Sequence, residues 1–233
     1  MAKGLGNIIY LVTLLVLVSS AVYAADIENI VLPRIKPMPG MKTEWAAEKM
    51  IYNGTPMSVQ NFRTNRTEDE VIQFYTSAWK SNLLAEVSKN RVGDEWVIGY
   101  GKDDYYYSVQ VKNASGGSEG SLVVTSSREI NEKISLPMLP GGRMISRIQS
   151  LDLGVHAETL TIGSRQSISS ALNWYDAELK RAGWIKQDVD SQGNQKVLIS
   201  EYQRNKEQCQ VRSISAGVKD EFTSILQITW IKG

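Results

Sequence analysis

The chain has one cysteine and one histidine in 233 residues, which limits the chemistry it can perform. The single cysteine, Cys209, cannot form an intramolecular disulfide, and we expect it to be a small buried residue of a strand. A zinc cluster of Cys and His ligands cannot be assembled within one chain from these two residues. We therefore predict no metal and no cofactor.

The chain also lacks an excess of charge of either sign. It has 26 Lys and Arg against 25 Asp and Glu, and the first 24 residues contain a single charged residue, Lys3, which leaves 25 of each sign. Nucleic-acid binding depends on a basic surface that meets the phosphates. We therefore predict that nucleic acid is not a partner.

The N-terminus has the layout of a secretory signal peptide. Lys3 precedes an apolar run from Ile8 to Val18, and small residues follow up to Ala24. The run is short for a spanning helix, which needs roughly 20 apolar residues. We predict cleavage after Ala24 and a periplasmic or secreted location. An uncleaved membrane anchor is the alternative.

The most informative positive feature is an internal repeat with a period of about 100 residues. Phe74-Tyr75 aligns with Trp174-Tyr175, Thr67 with Ser167, and Trp96 with Lys196. A fixed period of this kind marks duplicated units. We predict residues 1–24 as signal peptide, 25–37 as an extended leader, 38–130 as the first module and 131–233 as the second.

Each module contains one amphipathic helix. Thr67 and Glu70 have the spacing of a capping box, and apolar residues then recur at helical intervals up to Trp79. In the second module Ser167 is the expected N-cap, and Gly183 stands where a left-handed residue ends a helix.

Apolar alternation with a period of two precedes and follows each helix, in the order strand–strand–helix–strand–strand–strand. The predicted fold class is α+β. We expect two tandem copies of an antiparallel β-meander, with one helix packed across each sheet.

The stretch Trp174–Trp184, WYDAELKRAGW, resembles the F-Y-x-x-x-L-x-x-x-G-W helix of small modules found in many exported bacterial proteins. A more distant architectural likeness is the outer-membrane-assembly lipoprotein with tandem helix-grip domains. The first module departs from the motif, since Trp79 replaces the Leu and Asn82-Leu83-Leu84 replaces Gly-Trp. The resemblance implies a helix followed by a strand meander in an exported protein, and it implies no activity.

Five aromatic residues fall within a dozen positions and form the candidate binding site. They are Trp96, Tyr100, Tyr105, Tyr106 and Tyr107. Strand alternation sends Tyr106 to the face opposite Tyr105 and Tyr107, so at least one ring should be exposed. Such rings serve protein interfaces and also stack on sugars. They equally suit the core and edges of a sheet.

No catalytic motif emerges from the remaining residues, and we predict that the protein is not an enzyme. A hydrolase with an unrecognised site, using His156, Asp103 or Asp104, is the alternative to this prediction.

The sequence predicts an exported, non-catalytic subunit of a cell-envelope assembly, such as secretion, pilus or outer-membrane machinery. Its expected partners are the protein subunits of that assembly, which can add strands to exposed sheet edges. Membrane association is expected only through these partners or through an uncleaved N-terminal segment. The alternative is a module that binds glycan, peptidoglycan or another small ligand at the Trp96–Tyr107 aromatic surface.

Overall fold

The computed structural model describes residues 27–81, 86–130, 133–187, 196–217 and 221–232. The predicted signal peptide lies outside these residues. No helix in the described part is both long and apolar enough to cross a membrane.

After a short 3-10 turn at Ile27–Asn29, the elements are β1 (Lys42–Tyr52), β2 (Thr55–Thr64), α1 (Glu68–Lys80), β3 (Val87–Val92), β4 (Glu95–Lys102), β5 (Tyr105–Ala114), β6 (Gly117–Ser126), β7 (Arg143–Asp152), β8 (Val155–Ser164), α2 (Ile168–Arg181), β9 (Ile185–Gln187), β10 (Val197–Arg204), β11 (Glu207–Ser215) and β12 (Ser224–Lys232).

The twelve strands form one antiparallel sheet, in the order β3-β4-β5-β6-β2-β1-β7-β8-β12-β11-β10-β9. The predicted fold class, two α+β copies with a helix across each separate sheet, is therefore wrong. The molecule is mostly β, and 16% of it is helical. The prediction failed because β1 and β7, the first strands of the two halves, pair with each other.

The strands on each side of this joint follow the same order. We call β1–β6 with α1 the first half, and β7–β12 with α2 the second half. Strand registers place Phe62 opposite Gly120 and Ile162 opposite Leu226, so matching residues of β6 and β12 are 106 apart. The registers of β4 and β10 likewise match Trp96 of the first half with Leu198 of the second. The alignment of Trp96 with Lys196, which assumed a constant period of 100, is therefore displaced by two residues.

The joint itself is symmetric. Met50 lies opposite Ser150, with the pairs Lys49–Leu151 and Ile51–Gln149 on either side of it. The residues 100 positions away from Lys49 and Leu151 are Gln149 and Ile51, which form the other flanking pair. The two halves therefore meet as the subunits of a two-fold dimer do, with the same surface on both sides.

Both helices lie on the same face of the sheet. Helix α1 packs on Phe62, Ile98 and Val109, and α2 packs on Leu160 and Val211. Side chains of directly opposite residues in neighbouring strands lie on the same face of the sheet. The strand registers show that the face under α1 continues across β1 and β7 to become the face under α2. We call it the covered face, and the opposite one the open face.

The Pro-Gly segments that precede each half are held against the helices by matching tyrosines. The Tyr75 hydroxyl donates to the Lys36 carbonyl oxygen at 3.2 Å and accepts from the Met38 amide at 3.2 Å. The Tyr175 hydroxyl donates to the Pro137 carbonyl oxygen at 2.6 Å. Each helix therefore orders the segment that leads into its own half.

The helix ends match the sequence prediction. Thr67 and Glu70 form a complete capping box, and Ser167 caps α2. Gly183 has φ 82°, and the Trp184 amide donates to the Leu179 carbonyl oxygen at 2.9 Å. This is the Schellman arrangement in which a left-handed glycine ends a helix.

A small third core covers the joint. Ile27, Ile30 and the partly buried Ile130 pack on Ile51 and Leu151. Beside it lies a buried ion pair, in which the Arg147 Nε is 2.7 Å from the Glu158 Oε1 and the two side chains are 9% and 4% exposed. Arg147 also donates to the Lys133 carbonyl oxygen at 3.0 Å, and its backbone amide donates to the Asn53 Oδ1 at 2.8 Å. The joint therefore combines apolar packing with buried charge.

Removing one charge of this pair should destabilise the fold strongly. Glu158→Leu leaves the Arg147 guanidinium buried without its carboxylate, and we expect a loss of about 3–5 kcal/mol in the free energy of unfolding. The double variant Arg147→Met, Glu158→Leu should lose less than the sum of the single variants. Urea unfolding of the four proteins measures both values.

The matched control is Glu48→Leu, which removes a carboxylate from the exposed Arg34–Glu48 pair on β1. Exposed pairs contribute up to about 1 kcal/mol. Equal losses for Glu48→Leu and Glu158→Leu would contradict a special role for the buried pair.

Candidate functional site

The five predicted site residues lie on β4 and β5 but do not share one surface. Trp96, Tyr100, Tyr105 and Tyr107 are on the covered face, where they join the core under α1. Tyr106 is on the open face and is 45% exposed, as strand alternation predicts.

Tyr100 and Tyr107 act mainly as core residues. Their rings stack at 4.9 Å with an interplanar angle of 23°, and Trp79 of α1 lies 4.9 Å from Tyr100. Burial raises the pKa of both hydroxyls above the usual value. These contacts hold α1 on the sheet and leave little of either ring for a ligand.

Trp96 lies near the edge of the sheet, between two cations of β3. The Lys89 Nζ is 4.2 Å and the Arg91 Cζ is 5.6 Å from the ring centroid. Both distances are in the range of cation–π attraction. The ring is therefore already occupied by side chains of its own half.

Tyr106 lies across a glycine on the open face. A methyl group on Gly99 would lie 2.0 Å from the Tyr106 hydroxyl. The Tyr106 ring therefore occupies the space that a side chain at position 99 would need. Its hydroxyl is 3.3 Å from the Ser88 Oγ. The outer side of this ring is the aromatic surface that the predicted site leaves exposed.

The residues of the hydrolase alternative do not come together. The His156 Nε2 is 3.0 Å from the Glu28 Oε1, at the start of β8. Asp103 and Asp104 form the turn between β4 and β5, where Asp104 pairs with Arg128. Four strands lie between β5 and β8, and the five interstrand spacings correspond to roughly 25 Å. They cannot act on one substrate atom.

Cys209 is buried in β11 and is 2% exposed, as the sequence predicts. Burial raises the pKa of its thiol to about 12, so the reactive thiolate is disfavoured. Among the described residues, no group of three or more His, Cys, Asp and Glu side chains is arranged to hold a metal ion.

The sequence analysis missed a charged row on the open face of the first half. The strand registers align five residues across β4, β5, β6, β2 and β1, with the order acid, base, acid, base, base. The Lys112 Nζ is 3.3 Å from the Glu95 Oε1, and the Arg63 Nε is 3.1 Å from the Glu119 Oε2. The row consists of Glu95, Lys112, Glu119, Arg63 and Lys42.

This charged row lines the wall of a groove with a volume of about 550 Å³. Asn61 and Ser121 of the neighbouring row also line it, and the Ser121 hydroxyl donates to the Asn61 Oδ1 at 3.0 Å. We call it the charged groove. Its residues lie far apart in the sequence, and only the paired register of five strands assembles them.

The open face of the second half carries a smaller groove of about 360 Å³. Its open-face lining includes Gln187, Glu201, Gln210 and Thr229. Side-chain amides dominate here, in contrast to the ion pairs of the charged groove.

Comparison with protein-family models, with curated proteins and with solved structures finds no match to the chain in any of the three.

Gly99 and Gly101 provide a matched test of the Tyr106 position, since both lie on the open face of β4. Gly99→Ala should displace the Tyr106 ring and lower the free energy of unfolding by about 1 kcal/mol, the usual cost of moving a side chain off its rotamer. Gly101→Ala meets no atom within 4 Å and should be neutral or slightly stabilising. Urea unfolding measures both effects.

In a Tyr106→Ala background the penalty of Gly99→Ala should disappear. A penalty that persists without the tyrosine ring would show that Tyr106 does not rest on Gly99.

Proposed function

We propose that the protein is an exported, non-catalytic subunit of a cell-envelope assembly, which binds protein partners through the open face of its sheet. The observation that carries this proposal is the one-sided covering of the sheet. The helices, the leader and residues 134–139 all pack on the covered face. Within the described residues, the segment Glu221–Phe222 alone packs over part of the open face.

The size of the open face suits a protein partner. Twelve strands spaced at about 4.8 Å span roughly 50 Å, and strands of about ten residues are roughly 30 Å long. The resulting area of about 1,500 Å² exceeds the roughly 800 Å² that each partner buries in a standard interface.

The chemistry of the open face also suits a protein partner. One cross-strand row runs through both halves and contains several apolar side chains, with polar rows beside it. Protein interfaces share this layout of an apolar centre and a polar rim. The row consists of Tyr106, Thr125, Met57, Met50, Ser150, Ala157 and Ile231.

The proposed exported location follows from the N-terminal sequence pattern, Lys3 with the apolar run from Ile8 to Val18 and the small residues up to Ala24. The non-catalytic role is supported by the separation of His156 from Asp103 and Asp104 and by the burial of Cys209.

A second candidate function is the binding of glycan or peptidoglycan. The observation that favours it is Tyr106, whose ring lies flat on the sheet with its outer side exposed. Titration of the purified protein with cell-wall fragments tests it. Binding that is lost in Tyr106→Ala would support a glycan site.

Site-specific photo-crosslinking in intact cells tests the proposed protein interface. A photoreactive amino acid replaces Tyr106 or Ile231 on the open face, and Lys80 or Ala177 on the exposed sides of the helices serve as controls. We expect the open-face positions to crosslink to one envelope protein in common, because the row that contains them crosses the joint. Mass spectrometry identifies the products.

Crosslinks that form equally from the helix positions, or none from the open face, would contradict the proposed interface.

A further inference from the structure

The two halves differ at matching positions on the open face, near the ends of β2 and β8. In the second half, Glu221 and Phe222, which come shortly before β12, lie beside and over the end of β8. A methyl group on Gly163 would meet the Phe222 ring at 2.5 Å, so the ring covers this glycine. The Thr223 amide donates to the Ser164 carbonyl oxygen at 2.8 Å, which holds the segment along the end of the strand.

One arginine binds both residues of this segment. Arg143 donates to the two Glu221 carboxylate oxygens at 2.7 and 2.6 Å. The guanidinium carbon also lies 4.7 Å from the centroid of the Phe222 ring. Arg143 thus binds an acidic residue through a bidentate ion pair and the aromatic residue after it through a cation–π contact.

In the part of the chain that the structure describes, no equivalent segment lies over the charged row of the first half. The connection between β5 and β6 is a tight turn of two residues, 115 and 116, whereas eight residues, 216–223, connect β11 to β12. The strand registers match Arg143 with Lys42 and Gly163 with Arg63. The charged groove therefore occupies the place that Glu221 and Phe222 cover in the second half.

Three basic and three acidic side chains line the groove, and Glu44 is one of the acids. The positive charge available to an acidic occupant is at one end, on Lys42 and Arg63. Lys42 is exposed and forms no ion pair with any residue that the structure describes. Arg63 is 83% exposed and contacts Glu119 through its Nε. The outer side of its guanidinium is therefore accessible to a second carboxylate and to a stacked ring.

We propose that the charged groove binds an extended peptide segment of a partner protein, in which an acidic residue stands next to an aromatic one. The acidic side chain pairs with Lys42 and Arg63, and the ring stacks on the Arg63 guanidinium. Asn61 and Ser121 lie beside them and offer hydrogen bonds to the peptide backbone. This inference rests on the proposed function, because it assigns the partner's contact segment to one groove of the open face.

The test uses a synthetic peptide with the sequence of residues 215–224, acetyl-SAGVKDEFTS-amide, added to the purified full chain. Fluorescence anisotropy of the labelled peptide measures binding. We expect binding that weakens at least tenfold in the double variant Lys42→Glu, Arg63→Glu, and that weakens as salt is raised. A peptide with Glu→Lys and Phe→Ala changes should not bind.

The control variant is Arg66→Glu, which changes an exposed arginine that pairs with Glu70 at the start of α1. It should bind the peptide like the parent. Circular dichroism and urea unfolding check each variant, and the single variant Lys42→Ala replaces the double variant if the latter does not fold.

No binding to the parent, or equal binding to the parent and to the groove variant, would overturn the inference. Photo-crosslinks from Tyr106 and Ile231 distinguish this failure from failure of the proposed function. If these crosslinks form although the peptide does not bind, the open face remains an interface and the charged groove is not the peptide site.

Discussion

The pairing of β1 with β7 is the constraint on which the rest of the structure depends. The pairs centred on Met50 and Ser150 convert two six-stranded sheets into one. Since the joint is symmetric and antiparallel, its approximate two-fold axis stands normal to the sheet, and both helices lie on the same face. One face is therefore covered twice. Among the residues that the structure describes, Phe222 packs over the other face, at Gly163. The leader and Ile130 then seal the joint over Ile51.

The two halves have the same framework and different surfaces. The core residues of the covered side correspond, as with Tyr75 and Tyr175 on the helices and Tyr100 and Tyr202 on the strands. On the open face, the row of ion pairs in the first half matches the row Gly163, Ile225, Ile214 and Val197 in the second, where Phe222 packs on Gly163. Packing restricts the covered face, since a buried side chain cannot change size without cost. The open face is free of that restriction and can differ between the halves, which favours it as the place where specificity arises.

Local sequence signals predicted local structure well. The capping residues, the helix stop at Gly183 and the exposure of Tyr106 depend on neighbours within a few residues, and all are confirmed. Strand β3 (VSKNRV) was missed because it lies at an edge and lacks apolar alternation. The joint, the charged groove and the core position of Tyr100 depend on pairing between distant strands. A count of periodicity in one sequence contains no such information.

Hydrogen exchange at the joint tests the central claim most directly. In one continuous sheet, those amides of residues 49–52 and 148–151 that point across the joint are hydrogen-bonded and should exchange as slowly as the amides of β2 and β8. Exchange there as fast as in the edge strand β3, with protected β2 and β8, would contradict the account. It would show that the halves are separate sheets and that β1 and β7 are free edges.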